Sequence, residues 1–221
     1  MTFEQKITEG LRVYDQIFKF GRKQLLELPQ WDTNEDFPNM TRHAVAKSFI
    51  VSSMELTGQI THNINHRNLF IALLGLRTLL EFDINGRYIF NHPEHPKDFA
   101  WIDPLCADMY KTTNSLDTQK SHIGGVGLKK RAIEVGMLGV YEANYASLSD
   151  YAHHTLRNGT LNEQPRFETL SVDCIAHTLT HANNVLDSIS NCYDLSFDDS
   201  VEKQVDAYMQ HLNKENIIEK K

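Results

Sequence analysis

The stretch NYASLSDYAHH, residues 144–154, carries an unusual density of side chains that can take part in chemistry. Tyr145, Ser149 and His153 follow one another at intervals of four residues. In a helix this spacing aligns their hydroxyl and imidazole groups along one face. Such groups exchange hydrogen bonds, and a histidine also exchanges protons near neutral pH. We therefore interpret this stripe as one side of a polar centre.

Arg77 and Glu81 form a second polar feature, within a segment that is otherwise apolar. Their i,i+4 spacing places both on one helix face, and the apolar neighbours predict that this face is buried. We predict that the pair meets the stripe, so that Glu81 holds His153 or a tyrosine hydroxyl. Arg77 then remains available for the carboxylate or phosphate of a small anionic ligand. The alternative is a closed polar network that fixes helix register without any ligand. The predicted ligand-binding residues are Arg77, Glu81, Tyr145, Ser149 and His153.

Histidine spacing suggests a different chemistry. In HTLTH, His177 and His181 stand four residues apart, an interval at which two imidazoles can bind one metal ion. Together with His153 they form a candidate metal site, in which the metal would activate water for hydrolysis. The competing interpretation is surface or hydrogen-bonded histidines, because eleven histidines give about half such a pair by chance. No particular cofactor is indicated.

Composition narrows the class of protein. A chain of 221 residues with 41% apolar content can bury a full core. The net charge of −7 argues against generic DNA binding, which depends on clustered Lys and Arg. Three cysteines without paired spacing favour a reducing compartment. The charged N-terminus lacks a signal-peptide pattern and no apolar run is long enough to cross a membrane, so we predict a cytoplasmic protein.

Helical periodicity predicts the elements that position these groups: an all-α, up-and-down bundle of about six to eight helices with no sheet. We assign residues 1–195 to a single helical-bundle domain and residues 196–221 to a C-terminal helical appendage. The first predicted helix runs from a capping box at Thr2 and Gln5 to Pro29, and the second runs from a cap at Thr41 through Ile60, with an interruption at Asn63–Asn68. Five further helices are predicted over Leu69 to Phe90, Lys97 to about Thr112, Leu128 to Gly136, about Leu138 to Arg157, and Phe167 to Tyr193. A last amphipathic helix is marked by the apolar residues Val201, Val205, Tyr208 and Leu212.

Two segments, residues 76–100 and 131–154, resemble an uncharacterised family of bacterial helical proteins. That family has an Arg-x-x-x-Glu pair on a central helix and a Tyr-x-x-Leu-Ser-x-Tyr-x-His segment. The segments cover about a fifth of the chain. The resemblance implies a helical fold and supports treating the matching residues as one site. Those residues are Arg77, Glu81, Tyr145, Leu148, Ser149, Tyr151 and His153.

A looser resemblance is to HEPN-type helical bundles, which include dimeric RNA-cleaving toxins of prokaryotic defence. Their dyad is an arginine followed by a histidine after four to six residues, and Arg87 and His92 match this spacing. The resemblance implies a metal-independent ribonuclease in which Arg87 stabilises the phosphate and His92 acts as acid or base.

Three functions therefore stay open. The one we favour is a binding, sensing or structural module, a homo-oligomer with a link to bacterial stress or phage defence. The alternatives are the HEPN-like ribonuclease and the metal-dependent hydrolase that uses His153, His177 and His181.

Overall fold

A computed structural model describes residues 1–29, 37–91, 127–145, 147–149, 163–164, 166–195 and 199–218. For residues 37–42 and 213–218 it describes the backbone alone. Every regular element in these ranges is helical, which confirms the all-α fold and the predicted number of helices. The α-helices are α1 (Phe3–Glu27), α2 (Phe37–Asn65), α3 (Leu69–Phe90), α4 (Leu128–Glu134), α5 (Leu138–Val140), α6 (Arg166–Tyr193) and α7 (Asp199–Ile218), and a π-helical turn, the π segment, spans Tyr141–Tyr145.

The first helix begins as its sequence predicts. The Thr2 side chain accepts a hydrogen bond from the Gln5 backbone amide, and the Gln5 side chain accepts one from the Thr2 amide at 2.8 Å. This reciprocal capping box satisfies two amides that the helix itself cannot pair. The helix ends at Glu27, two residues before Pro29. Its apolar side chains Ile7, Val13, Ile17 and Phe20 are buried.

The predicted start of the second helix is wrong. Helix α2 begins at Phe37, four residues before the expected cap at Thr41. Pro38 lies in its first turn, where a proline costs no intrahelical hydrogen bond. The predicted interruption is confirmed, because α2 ends at Asn65, Arg67 has a positive φ of 57°, and α3 begins at Leu69.

Helix α3 is largely buried, as its apolar character predicts. It packs against both α2 and α6, which also contact each other. Phe49 of α2 contacts the rings of Phe82 and Phe90 edge-on, with centroids 4.8 and 5.8 Å apart. This packing leaves α3 little freedom to move, so the polar side chains it carries are held in place by two neighbouring helices.

The last helix packs on α1 and α6 through its predicted apolar stripe. Val201, Val205, Tyr208 and Leu212 are all buried. The three helices approach closely at Gly10, where a Cβ atom would meet Ile175 at 2.6 Å and the Tyr208 hydroxyl at 3.1 Å. The division into residues 1–195 and 196–221 stays a prediction.

Helix α4 confirms the predicted element from Leu128. The expected α-helix from Leu138 to Arg157 is wrong in its first part, since α5 is a single turn and the π segment follows it directly. The expected helix from Lys97 and the remainder of this one lie outside the described residues. None of the described helices combines the length and apolar character needed to cross a membrane.

Candidate functional site

Arg77, Glu81 and Tyr145 meet, and we call them the Arg77 cluster. Nη2 of Arg77 donates to the Tyr145 hydroxyl at 2.9 Å, and that hydroxyl donates to Oε1 of Glu81 at 3.0 Å. Nε of Arg77 also lies 3.4 Å from Oε1 of Glu81, and the guanidinium carbon lies 5.0 Å from the centre of the Tyr145 ring. The hydroxyl thus bridges the two charges and ties the π segment to α3.

The Arg77 cluster is half-buried, although the sequence predicted a buried face. The side chains of Arg77 and Glu81 are 27% and 36% exposed. The hydrogen bond that Arg77 donates to the Tyr145 hydroxyl, with a smaller contribution from Glu81, raises the pKa of Arg77 above its already high value. Arg77 therefore stays charged and is engaged by two partners, whereas the sequence predicted that it stays available to a ligand.

The π segment changes the geometry of the predicted stripe. Tyr141 and Tyr145 stack with their ring centroids 4.9 Å apart and their planes 15° from parallel. A π-helical turn is wider than an α-helical one, so residues at intervals of four drift around the axis. Ser149 is partly buried, and its hydroxyl has no hydrogen-bond partner among the described residues. His153 and Tyr151 lie outside them.

Asp83 is the centre of a buried network that the sequence did not reveal. Its side chain has 0% exposure. Nε of Arg87 and Nδ2 of Asn184 each donate to it at 2.9 Å, and Nδ1 of His181 lies 2.7 Å from Oδ2. The contacts with His181 and Asn184 cross the interface between α3 and α6. The i,i+4 spacing of Asp83 and Arg87 was the available signal, because the same spacing joins Arg77 and Glu81 six residues earlier.

The structure describes only one of the two residues of the predicted ribonuclease dyad. Arg87 is bound to Asp83, with its side chain 32% exposed. His92 lies outside the described residues. The dyad therefore stays a prediction, and Arg87 would have to serve both a buried carboxylate and a phosphate.

A cleft of about 240 Å³ lies between α3, α6 and the residues Ala143, Asn144, Ser147 and Leu148. The walls of the cleft are mainly apolar. Its polar lining comes from α6 and from Asn144 and Ser147. This is the usual composition of a small-molecule site, in which apolar walls surround a few polar groups. The lining residues are Leu73, Leu76, Ala143, Asn144, Ser147, Leu148, Leu170, Asp173, Cys174, His177 and His181.

Burial shifts the pKa values of three groups along this cleft. Desolvation, assisted by nearby His181, lowers the pKa of His177 below its usual 6.5. Desolvation also raises the pKa of Asp173, and raises that of Cys174 to about 12. The Cys174 thiol is therefore a poor nucleophile at neutral pH, whereas neutral His177 can donate and accept hydrogen bonds.

The predicted metal site is present only in part. The rings of His177 and His181 stack with centroids 6.2 Å apart, and Nδ1 of His181 faces Asp83. Over the residues that the structure describes, no three His, Cys, Asp or Glu side chains are placed to hold a metal ion. Because His153 is outside them, the three-histidine site stays a prediction.

Comparisons with protein-family models, curated proteins and solved structures found no match for this chain. The resemblances to the bacterial helical family and to HEPN-type bundles therefore stay predictions. The function must follow from the geometry of the Arg77 cluster, the Asp83 network and the cleft.

Replacing Tyr145 by phenylalanine is expected to lower the free energy of unfolding by about 1 kcal/mol. The hydroxyl makes two hydrogen bonds to charged groups, and partial exposure reduces what each contributes. Urea unfolding followed by circular dichroism measures the change. Tyr141→Phe is the matched control, because the Tyr141 hydroxyl bonds to none of the described residues. An equal loss in both variants would contradict the bridging role of Tyr145.

The lowered pKa of His177 predicts a pH dependence of stability. The folded chain binds a proton at His177 less readily than the unfolded chain, so protonation favours unfolding. The free energy of unfolding should therefore fall as the pH decreases from about 7 through the folded-state pKa, by at most about 1.4 kcal/mol per pH unit. Urea unfolding at several pH values across this range should show that the free energy of unfolding depends less steeply on pH in His177→Gln than in the wild type. An unchanged slope would show that His177 does not contribute.

Proposed function

We propose that this chain is a binding or sensing module for a small molecule, and that the cleft between α3, α6 and the π segment is its site. The observation that carries this proposal is the convergence of Asn144, Asp173 and His177 on a cleft with leucine walls. Shifted pKa values concentrate at functional sites, and π-helical turns occur frequently there. Both features are present at this cleft.

Each wall of the cleft is braced by a different set of contacts. Ala143 and Asn144 belong to the π segment, which Tyr145 ties to α3 through the Arg77 cluster. The opposite wall belongs to α6, which His181 and Asn184 tie to the same helix through Asp83. Both walls are thus fixed relative to α3 before a ligand arrives. Such preorganisation reduces the cost of ordering the site upon binding.

The Asp83 contact also orients His181. Because Nδ1 faces Asp83, the other ring nitrogen, Nε2, is the one that a ligand in the cleft can approach. With hydrogen on Nδ1 facing the carboxylate, Nε2 accepts a hydrogen bond in the neutral ring and donates one in the protonated ring. His181 and His177 can therefore both take part in hydrogen bonds with a bound molecule.

No contact among the described residues favours the ribonuclease or the metal-dependent hydrolase over this function. A small anionic ligand at Arg77 would compete with Glu81 for the guanidinium.

Assembly into a homo-oligomer, cytoplasmic location and a link to stress or phage defence stay predictions from the sequence.

The test is binding of a neutral aromatic probe, benzyl alcohol, followed by NMR chemical shifts and thermal unfolding. Shifts at His177, together with a melting temperature that rises with probe concentration, are expected, because a ligand that binds only the folded state stabilises it. Ala143→Trp should abolish both responses by filling the cleft. Ala207→Trp adds the same side chain to an exposed position of α7 and should retain them. Equal binding to both variants, or no binding to the wild type, would refute the proposed site.

A further inference from the structure

We propose further that the cleft selects a small organic cation, an amine on an apolar body, with Asp173 as its charge partner. This inference depends on the proposed function, since it names the chemical class of the ligand that the cleft binds. The inference depends on two observations. One is the set of charged side chains that line the cleft, and the other is the set of nearby charges that other contacts already neutralise.

Among the described residues that line the cleft, Asp173 is the only carboxylate, and none is a Lys or an Arg. The nearby charges are paired. Arg77 is engaged by Glu81 and Tyr145, and Asp83 accepts from Arg87 and Asn184 and contacts His181. Within the described lining, an anion would therefore meet one carboxylate and no Lys or Arg, whereas a cation would gain a charge-assisted hydrogen bond.

His177 strengthens the preference for a cation. It stands four residues after Asp173, so the two side chains lie on the same face of α6. Burial disfavours the protonated imidazole, and the neutral ring can accept a hydrogen bond from an ammonium group. The carboxylate and imidazole together provide two acceptors for the N–H groups of one amine.

The size and walls of the cleft fit an apolar body with a short polar arm. An apolar cavity of about 150 Å³ is known to bind benzene, so about 240 Å³ accommodates one ring with a short substituent. Leu73, Leu76 and Leu170 supply apolar surface for the ring. Asp173 is partly desolvated but still exposed on one side, which places the charged end of the ligand toward solvent.

Lys6 is the opposing charge. It lies near enough to lower the pKa of Asp173, after the larger lowering effect of His177, but it does not line the cleft. Its field weakens the attraction between Asp173 and a cation without removing it. The selectivity should therefore be moderate, and Lys6→Gln should increase it.

Three probes of similar size separate the effect of charge from that of the ring: benzylammonium, benzyl alcohol and benzoate, titrated at about pH 8 by NMR and calorimetry. Benzylammonium is expected to bind about tenfold more tightly than benzyl alcohol, and benzoate more weakly than either. Asp173→Asn should remove the tenfold preference and leave benzyl alcohol binding within about twofold of wild type, which also shows that the variant's cleft is intact. Asp187→Asn is the control, because Asp187 is a half-buried carboxylate of the same helix outside the cleft.

The outcomes separate the two proposals. If benzyl alcohol binds and benzylammonium binds no more tightly, or if Asp173→Asn keeps the preference, the cation inference is wrong and the cleft remains a binding site. If benzoate binds best, an anion site is present instead. If no probe binds, the cleft is not a site for molecules of this size, and both proposals fail.

Discussion

Replacing Asp83 by alanine is expected to lower the free energy of unfolding by about 3–5 kcal/mol, the usual cost of removing one partner from a buried ion pair. Three side chains lose their acceptor at once, because Arg87, His181 and Asn184 all contact this carboxylate. His181 is itself buried, so a ring nitrogen that loses this carboxylate has little access to water in its place. Urea unfolding followed by circular dichroism measures the loss.

Asp15→Ala is the control for this prediction. Asp15 also pairs with a cation four residues away, Lys19, but its side chain is 55% exposed. Removing it should change the free energy of unfolding by no more than about 1 kcal/mol. Asp83→Asn should have an intermediate effect, since the amide keeps one acceptor oxygen while losing the charge. If Asp83→Ala costs no more than Asp15→Ala, the Asp83 network does not stabilise the interface between α3 and α6.

Local sequence signals predicted the elements that local interactions define. The capping box at Thr2 and Gln5 marked the start of α1, and the continuous apolar character of Leu69–Phe90 marked a largely buried helix. The π segment was not predictable in this way. An α-helix and a π-helix have similar side-chain patterns, so the pattern alone does not show where a turn widens.

The candidate site was predicted only where spacing within one helix was informative. The pairing of Arg77 with Glu81 follows from i,i+4 geometry, and the meeting with Tyr145 agrees with the predicted stripe. Burial was overestimated, because an apolar helix can still expose one polar edge beside a short neighbouring segment. The Asp83 network joins residues about a hundred positions apart in the chain, and spacing within one helix contains no information about such contacts.

Replacing Phe49 by alanine is also expected to lower the free energy of unfolding by about 3–5 kcal/mol, the typical cost of truncating a buried phenylalanine. Phe49 is 1% exposed and contacts Phe82 and Phe90 edge-on. The substitution removes apolar contact area and leaves a cavity between α2 and α3 that their close packing cannot fill. Urea unfolding measures the cost.

The control for Phe49 is Leu26→Ala, which shortens a side chain that is 85% exposed on α1 and should change stability by about 0.5 kcal/mol or less. Phe49 lies on α2 and does not line the cleft, so Phe49→Ala should keep the affinity for benzyl alcohol while the chain remains folded. Loss of both stability and affinity at low temperature would mean that α3 needs its α2 contact to form the cleft wall. Retained affinity would show that the Arg77 cluster and the Asp83 network suffice to hold that wall.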